Sequence, residues 1–297
     1  MATITLATTQ GLRTFVDGVP APPLLDDVDV TAVDNCDGEL WAIVEEHELT
    51  RVREGNVATV AKIEAPGTCL LAQRDAVWIG TEGAHLLRFA DGTLAPVLAF
   101  DDAPSRAAWH TPWGGPPDTR WIDAQDGRLY VNVHVGGILV SDDEGASWQA
   151  TLDLDVDVHQ VSVDAAGTVW AATGAAGLGE SSDHGRSWSF HTDGLHATYL
   201  RAAVPCGDGV VVTASSGPRS RDGAVYRFDG EGFTPCNSTL PARFAGNLDT
   251  GRLAAYRETV ALAGLDGRLY VSEDAGRTFR VVATELPPVH EVVIATR

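Results

Sequence analysis

The sequence predicts an all-β chain closed into a seven-bladed β-propeller of four-stranded antiparallel blades, and three observations carry that prediction. The octapeptide pattern S-x-D-x-G-x-[ST]-[WF] occurs three times, at Ser141–Trp148, Ser181–Trp188 and Ser272–Phe279. Pairs of short, apolar-rich strands joined by turns recur about every 40 residues, the period of a propeller blade. No segment has the periodicity of a long amphipathic helix, and no Pro/Ser-rich linker divides the 297 residues.

The strand pairs can be taken in order. They fall at Val30–Asp34 with Leu40–Val44, Cys69–Gln73 with Val77–Gly80, and Trp121–Asp123 with Leu129–Val133. They continue at Val161–Asp164 with Val169–Ala172, Arg201–Val204 with Val210–Thr213, and Arg252–Ala255 with Val260–Ala263. Those are six blades. The ends supply a seventh, with Val289–Ala295 as its inner strand and Ile4–Ala7 and Leu12–Val16 as its next two, so that pairing the two ends closes the ring and removes an exposed sheet edge. Residues 1–297 are therefore expected to form one domain of about 42 residues per blade.

Composition narrows the function. Hydrophobic residues make up 44% and charged residues 21%, enough apolar material for a core. The formal net charge is −20, and Lys62 is the one lysine, so a phosphate backbone or an anionic bilayer would be repelled at long range. Neither nucleic acid nor membrane is an expected partner. No basic segment followed by an apolar stretch opens the chain, and no apolar run reaches the ~18 residues of a membrane helix, so a soluble, cytoplasmic monomer is expected. Four cysteines without a CxxC pair read as reduced thiols.

The octapeptide has a physical reading. Its Asp (Asp143, Asp183, Asp274) accepts backbone N–H bonds inside a hairpin, its Gly (Gly145, Gly185, Gly276) takes a positive φ, and its aromatic residue (Trp148, Trp188, Phe279) packs between sheets. In this it resembles the Asp-box, or BNR, repeat of sialidase-like propellers. The stretches Val133–Ile138, Asp157–Val161 and Asp193–Tyr199 resemble segments of bacterial, cytosolic, single-propeller proteins described as WD40/YVTN/BNR-like. The resemblance implies a structural role for the boxes, away from any active site, and leaves the activity open. The Arg-Ile-Pro element and the arginine triad of sialidases are missing, which argues against sialic-acid hydrolysis.

A propeller gathers the starts of its inner strands around one channel mouth. Stepping back eight residues from the start of each second strand, with Gly167 as the reference, selects His159, Val30, Gly67, Thr119, Arg201 and Thr250, and the match of Val289–Ile294 to Val158–Val163 adds His290. His134, ending a second strand, and His196, preceding the strand of Arg201, point to the same face. So does His110, between Trp109 and Trp113 in the long connection from Asp101 to Thr119.

The expected catalytic candidates are His134, His159, His196, Arg201 and His290, and the ligand-contacting candidates are Trp109, His110, Trp113, Gln160 and Tyr199. Three chemistries fit them. The histidines can simply line a polar, water-bridged channel. His134, His159 and His290 can hold a divalent transition metal. Alternatively, Arg201 can fork a carboxylate, phosphate or sugar acid while a histidine moves a proton. Glu45, Glu46, Glu82 and Asp118 offer glycosidase-type carboxylates on that face. Asp153, Asp155 and Asp157 alternate like a calcium loop but lack its Gly and terminal Glu. The expected function is binding of a small anionic or sugar-like molecule, or of a partner's protein segment, at the mouth. A hydrolase or lyase using the His/Arg cluster is the alternative.

Overall fold

The computed structural model describes residues 2–237 and 239–296. Seven four-stranded antiparallel sheets follow one another around a ring. Blade 1 combines Val289–Thr296 with Ala2–Thr8, Gly11–Val16 and Val19–Pro20, so the predicted closure is present, in the register Ile4↔Ile294 and Leu6↔Val292. The inner strands of blades 2 to 7 are Val30–Cys36, Gly67–Ala72, Thr119–Gln125, Val158–Val163, Tyr199–Cys206 and Leu253–Tyr256. Among the described residues helix is confined to the short turns Leu98–Asp101 and Arg106–Ala108 in the connection from blade 3 to blade 4, and neither is long and apolar enough to cross a membrane.

The core lies between blades, because each sheet is apolar on both faces and finds its partner in the next blade. Phe100, Trp78 and Trp148 meet where blades 3 and 4 join, and Phe279 of blade 7 packs with Val204 and Val211 of blade 6. The octapeptides form the turns from third to fourth strand. In the first of them Asp143 Oδ1 accepts the Ser147 N–H at 2.8 Å, Asp143 Oδ2 accepts the Ser147 hydroxyl at 2.7 Å, and the Ser141 hydroxyl oxygen accepts the Gly145 N–H at 2.8 Å. The other two turns repeat the same bonds. Each needs two consecutive left-handed residues, such as His184 at φ 64° and Gly185 at φ 92°, which explains the glycine.

A second device ties the inner strands together. Glu291 accepts the Val33 N–H, Asp34 that of Ala72, Asp123 that of Val163 and Gln160 that of Ala203, each at 2.8–2.9 Å across a blade boundary. Burial pushes Asp34 up to about 6 and Asp123 up to about 7, against the backbone N–H bonds that lower both, and it raises Glu291 well above the carboxylate range. Gln160, expected to contact ligand, is thus a buried strut between blades 5 and 6.

Candidate functional site

Near the start of its inner strand each of blades 1 to 6 carries a register shift, and the residue left out of the ladder is His290, Thr31, Thr68, Arg120, His159 and Arg201 in turn. Blade 7 brings Thr250 to the same place, where its hydroxyl donates to Arg201 O at 2.7 Å and reaches His159 O at 3.4 Å. The octapeptide turns lie on the opposite face, since third-to-fourth-strand turns and inner-strand starts occupy opposite ends of a blade.

The eight-residue step therefore placed His159 and Arg201 at this position, and the match of Val289–Ile294 to Val158–Val163 placed His290 there. The step fell one residue short in blades 2, 3 and 4, selecting Val30, Gly67 and Thr119 in place of Thr31, Thr68 and Arg120. The cause is turn length. Counted from the last turn residue, Asp164 pairs with Thr168 across a three-residue turn in the reference blade, whereas Gln125↔Arg128 and Cys36↔Glu39 close over two; blade 6 also closes over two, at Cys206↔Gly209, but there the step starts one residue later, at Gly209 itself. Arg120 was missed for this reason alone.

Blade 5 provides the centre of the site. His159 has no exposed surface, and its Nδ1 lies 2.6 Å from Leu200 O, so Nδ1 carries the proton and Nε2 presents its lone pair. That nitrogen stands 3.3 Å from Asp157 Oδ2, while His134 Nε2 stands 3.4 Å from Asp157 Oδ1. Asp157 is held by an isolated bridge to Val135 and by the Gly174 N–H on its carbonyl. A Cβ on Gly174 would fall onto the Asp157 carboxylate, so glycine there makes room for it. Burial acts to raise the Asp157 carboxyl, but the adjoining His159 ring and the positive charge of Arg120 keep it below the usual range. Burial, reinforced by Arg120, lowers His134 to about 4, which leaves the ring neutral.

Rings and guanidinium groups surround this centre. Trp113, 72% exposed, meets the His134 ring edge-on at 4.9 Å between centroids, and Tyr199 lies 4.8 Å from the His159 ring. Arg201 sits over Tyr199 at 5.1 Å, and its Nε is buried without a hydrogen-bond partner, 3.6 Å from Asp249 Oδ1. Arg120 reaches His134 Nδ1 at 3.5 Å, and no carboxylate among the described residues lies within ion-pair distance of it. Burial, then the charge of Arg201, lower its pKa. Asp157 Oδ1, His159 Nε2 and Asn132 Oδ1 also lack hydrogen-bond partners.

Other expected residues lie elsewhere. His290 is taken by Asp29 at 2.8 Å and is outside the group of donor atoms formed by His134, Asp157 and His159. His196 stacks on Tyr226 at 5.7 Å and bonds its hydroxyl at 2.9 Å, further out along blade 6. Trp109 is 6% exposed and packs on Phe100 at 5.2 Å, so it belongs to the core and is no wall of the mouth. His110 is exposed and donates from Nδ1 to Ala108 O at 2.9 Å. Glu45 accepts the Asp29 N–H, and Glu82 bridges Asp118, whose pKa burial raises. Clefts of about 300 and 400 Å³ open between blades 4 and 5 at Arg128 and His184, and between blades 7 and 1 at Asp17 and Arg280. Neither is lined by the His/Asp/Arg group, and neither gathers comparable chemistry.

No family model and no curated protein matches the sequence. Solved structures share the fold. YCF48 from Cyanidioschyzon merolae is 16% identical with a TM-score of 0.60, covering 87% of this chain and 86% of that one, and YCF48 was also solved bound to a D1 peptide. An inactive variant of virginiamycin B lyase from Staphylococcus aureus, solved with quinupristin, is 12% identical with a TM-score of 0.62 over 86% and 84% of the two chains. Apo AztD from Citrobacter koseri is 10% identical with a TM-score of 0.64 over 99% and 97%. At these identities the likeness concerns the seven-bladed architecture.

Proposed function

We propose that this propeller binds a small organic anion at its mouth, with Arg120 and Arg201 forking a carboxylate or phosphate and Trp113 and Tyr199 flanking the rest of the molecule. One observation carries the reading. Two guanidinium groups from blades 4 and 6 oppose each other electrostatically, and neither has a close carboxylate hydrogen-bonded to it. An anion between them relieves the mutual repulsion and supplies the missing acceptor.

The ring is acidic overall, so the two arginines form a local exception that selects a compact anion and not a polyanion. The Asp-box turns favour kinship with the BNR-like repeat proteins, and the protein acts as a cytoplasmic monomer in this reading. Two similar folds were solved with a peptide or a small molecule, which supports binding as the general use of such a ring. A catalytic role, as hydrolase or lyase, is favoured by one further observation: Asp157, partly exposed between His134 and His159 at 3.4 and 3.3 Å, is placed to exchange a proton with a held substrate.

The test is calorimetric titration with mono- and dicarboxylates, sugar acids, sugar phosphates and peptides ending in a free carboxylate. Saturable binding of one class, weakened ~10–100-fold in Arg120→Ala and in Arg201→Ala, is the expected result. Binding that persists unchanged in the double variant would overturn the reading, and binding of the peptides alone would replace the small molecule by a partner's segment.

A further inference from the structure

We propose that His134, Asp157 and His159 form a binding site for one divalent transition ion of the zinc class, with Asp157 in the place that sequence spacing assigned to His290. The inference goes beyond the anion reading and uses different side chains.

Donor spacing is the first support. One donor atom from each of the three residues lies within 4.8 Å of the others, and each imidazole nitrogen has its own nearest carboxylate oxygen, His134 Nε2 at 3.4 Å from Asp157 Oδ1 and His159 Nε2 at 3.3 Å from Asp157 Oδ2. Zinc bonds of about 2.0–2.2 Å in a tetrahedron leave donors about 3.3–3.6 Å apart. The carboxylate and imidazole groups are therefore already separated as ligands are, and are too far apart to hydrogen-bond well to one another.

Protonation is the second support. The His159 Nδ1 proton is committed to Leu200 O, which leaves a lone pair on Nε2 directed at a carboxylate oxygen. Two acceptors facing each other in a buried place repel unless a cation or a proton lies between them. The Leu200 carbonyl is also the kind of outer partner that fixes the tautomer of a ligating histidine. His159 Nε2 and Asp157 Oδ1 are among the buried atoms that find no hydrogen bond in the protein.

Composition is the third. Two imidazoles and one carboxylate are the donor set of sites that keep a coordination position open for a water or substrate. One feature opposes the ion. Arg120 stands 3.5 Å from His134 Nδ1, so metal binding at Nε2 transfers the ring proton to Nδ1 and turns the guanidinium away. Removing Arg120 must then leave metal affinity unchanged or raise it, the reverse of its effect on an anion.

The experiment uses the full chain, purified without a histidine tag, stripped with chelator and titrated with Co²⁺ and then Zn²⁺. One equivalent of Co²⁺ should develop a visible d–d band that one equivalent of Zn²⁺ removes. Asp157→Asn and His159→Gln should each weaken binding roughly 100-fold or more, beyond the ~10–100-fold of an outer-shell change. Arg120→Ala and His290→Ala should not weaken it. Melting curves of the variants separate ligand loss from unfolding, and Asp157→Asn, at a partly exposed position, remains decisive if the buried His159 variant does not fold. Absence of stoichiometric binding by the wild-type protein would overturn the site, as would a Co²⁺ band that survives Asp157→Asn or disappears in His290→Ala. Anion affinity measured in the presence of chelator keeps the two readings apart, since either can then fail without the other.

Discussion

At the octapeptide face, Asp183 receives both the amide and the hydroxyl of Ser187 and a further bond from Ser181, and the same set recurs at Asp143 and Asp274. At the mouth, Asp157 Oδ1, His159 Nε2, Asn132 Oδ1 and Arg201 Nε are buried without such partners. The two ends of one ring thus treat polar atoms in opposite ways. One satisfies the polar groups of each turn locally and stabilises the blade. The other leaves costly groups unsatisfied, and a protein retains such groups where a ligand completes them.

The contrast is sharpest in a core residue contributed by the octapeptide. Trp148 is buried against Phe100 at 5.1 Å and donates to Gly145 O at 3.1 Å. Trp148→Ala should cost about 3–5 kcal/mol, which lowers Tm by roughly 10 °C, while mouth binding per folded molecule stays the same. A Trp148→Ala protein that melts normally would break the assignment of stability to that face.

The second prediction concerns pH, where the carboxylates that tie the inner strands together and those of the octapeptide turns have opposite signs. Asp34 and Asp123, raised to about 6 and about 7, hold protons more tightly in the folded ring than in the unfolded chain. Their contribution is greatest below the ordinary carboxyl range and declines as pH rises towards 7. Hydrogen bonds from Ser187 lower Asp183 to about 2, and the Ser147 bonds shift Asp143 in the same direction, so these groups contribute above the ordinary range and lose that contribution as pH falls below it. Tm should therefore peak at mildly acidic pH and fall by a few degrees up to about pH 7.5. Asp34→Asn and Asp123→Asn should flatten that upper limb, and scanning calorimetry from pH 4 to 8 checks it. A limb unchanged in the double variant would show that the inter-blade carboxylates do not set it.

The smallest expected effect is at the mouth. Arg201→Ala removes a partly buried, poorly paired charge and should shift stability by no more than about 1 kcal/mol in either direction. Denaturant unfolding checks this, and a loss of several kcal/mol would make Arg201 a structural residue and weaken the contrast.

The same contrast explains what the sequence revealed. An octapeptide turn is local, with donor, acceptor and glycine inside eight residues, so three copies disclose the blade and its period. The mouth is assembled from residues such as Arg120, His134, Asp157, His159 and Arg201, which only the ring brings together. A fixed step found His159 and Arg201 but missed Arg120 because hairpin turns differ by one residue. Asp157 was visible in a failed calcium pattern and at the head of the stretch Asp157–Val161, neither of which names its partners, since these are set by spatial proximity and not by spacing. Trp109 and Trp113 share one loop and one chemistry, and only packing sends the first inward and the second outward. Asp34, Asp123 and Glu291 sit in apolar strands where nothing local announces that their partners are amides of the next blade.

The bulges at the strand starts have a consequence for how such a ring can diversify. A residue left out of the ladder sets neither the register of its own sheet nor the apolar face between blades. The six positions therefore behave as interchangeable sockets on a fixed frame. Thr31 and Thr68 occupy two of them with modest side chains, while Arg120, His159, Arg201 and His290 occupy the others with charge and imidazole. Chemistry at the mouth can be exchanged one blade at a time, without asking the rest of the wheel to change.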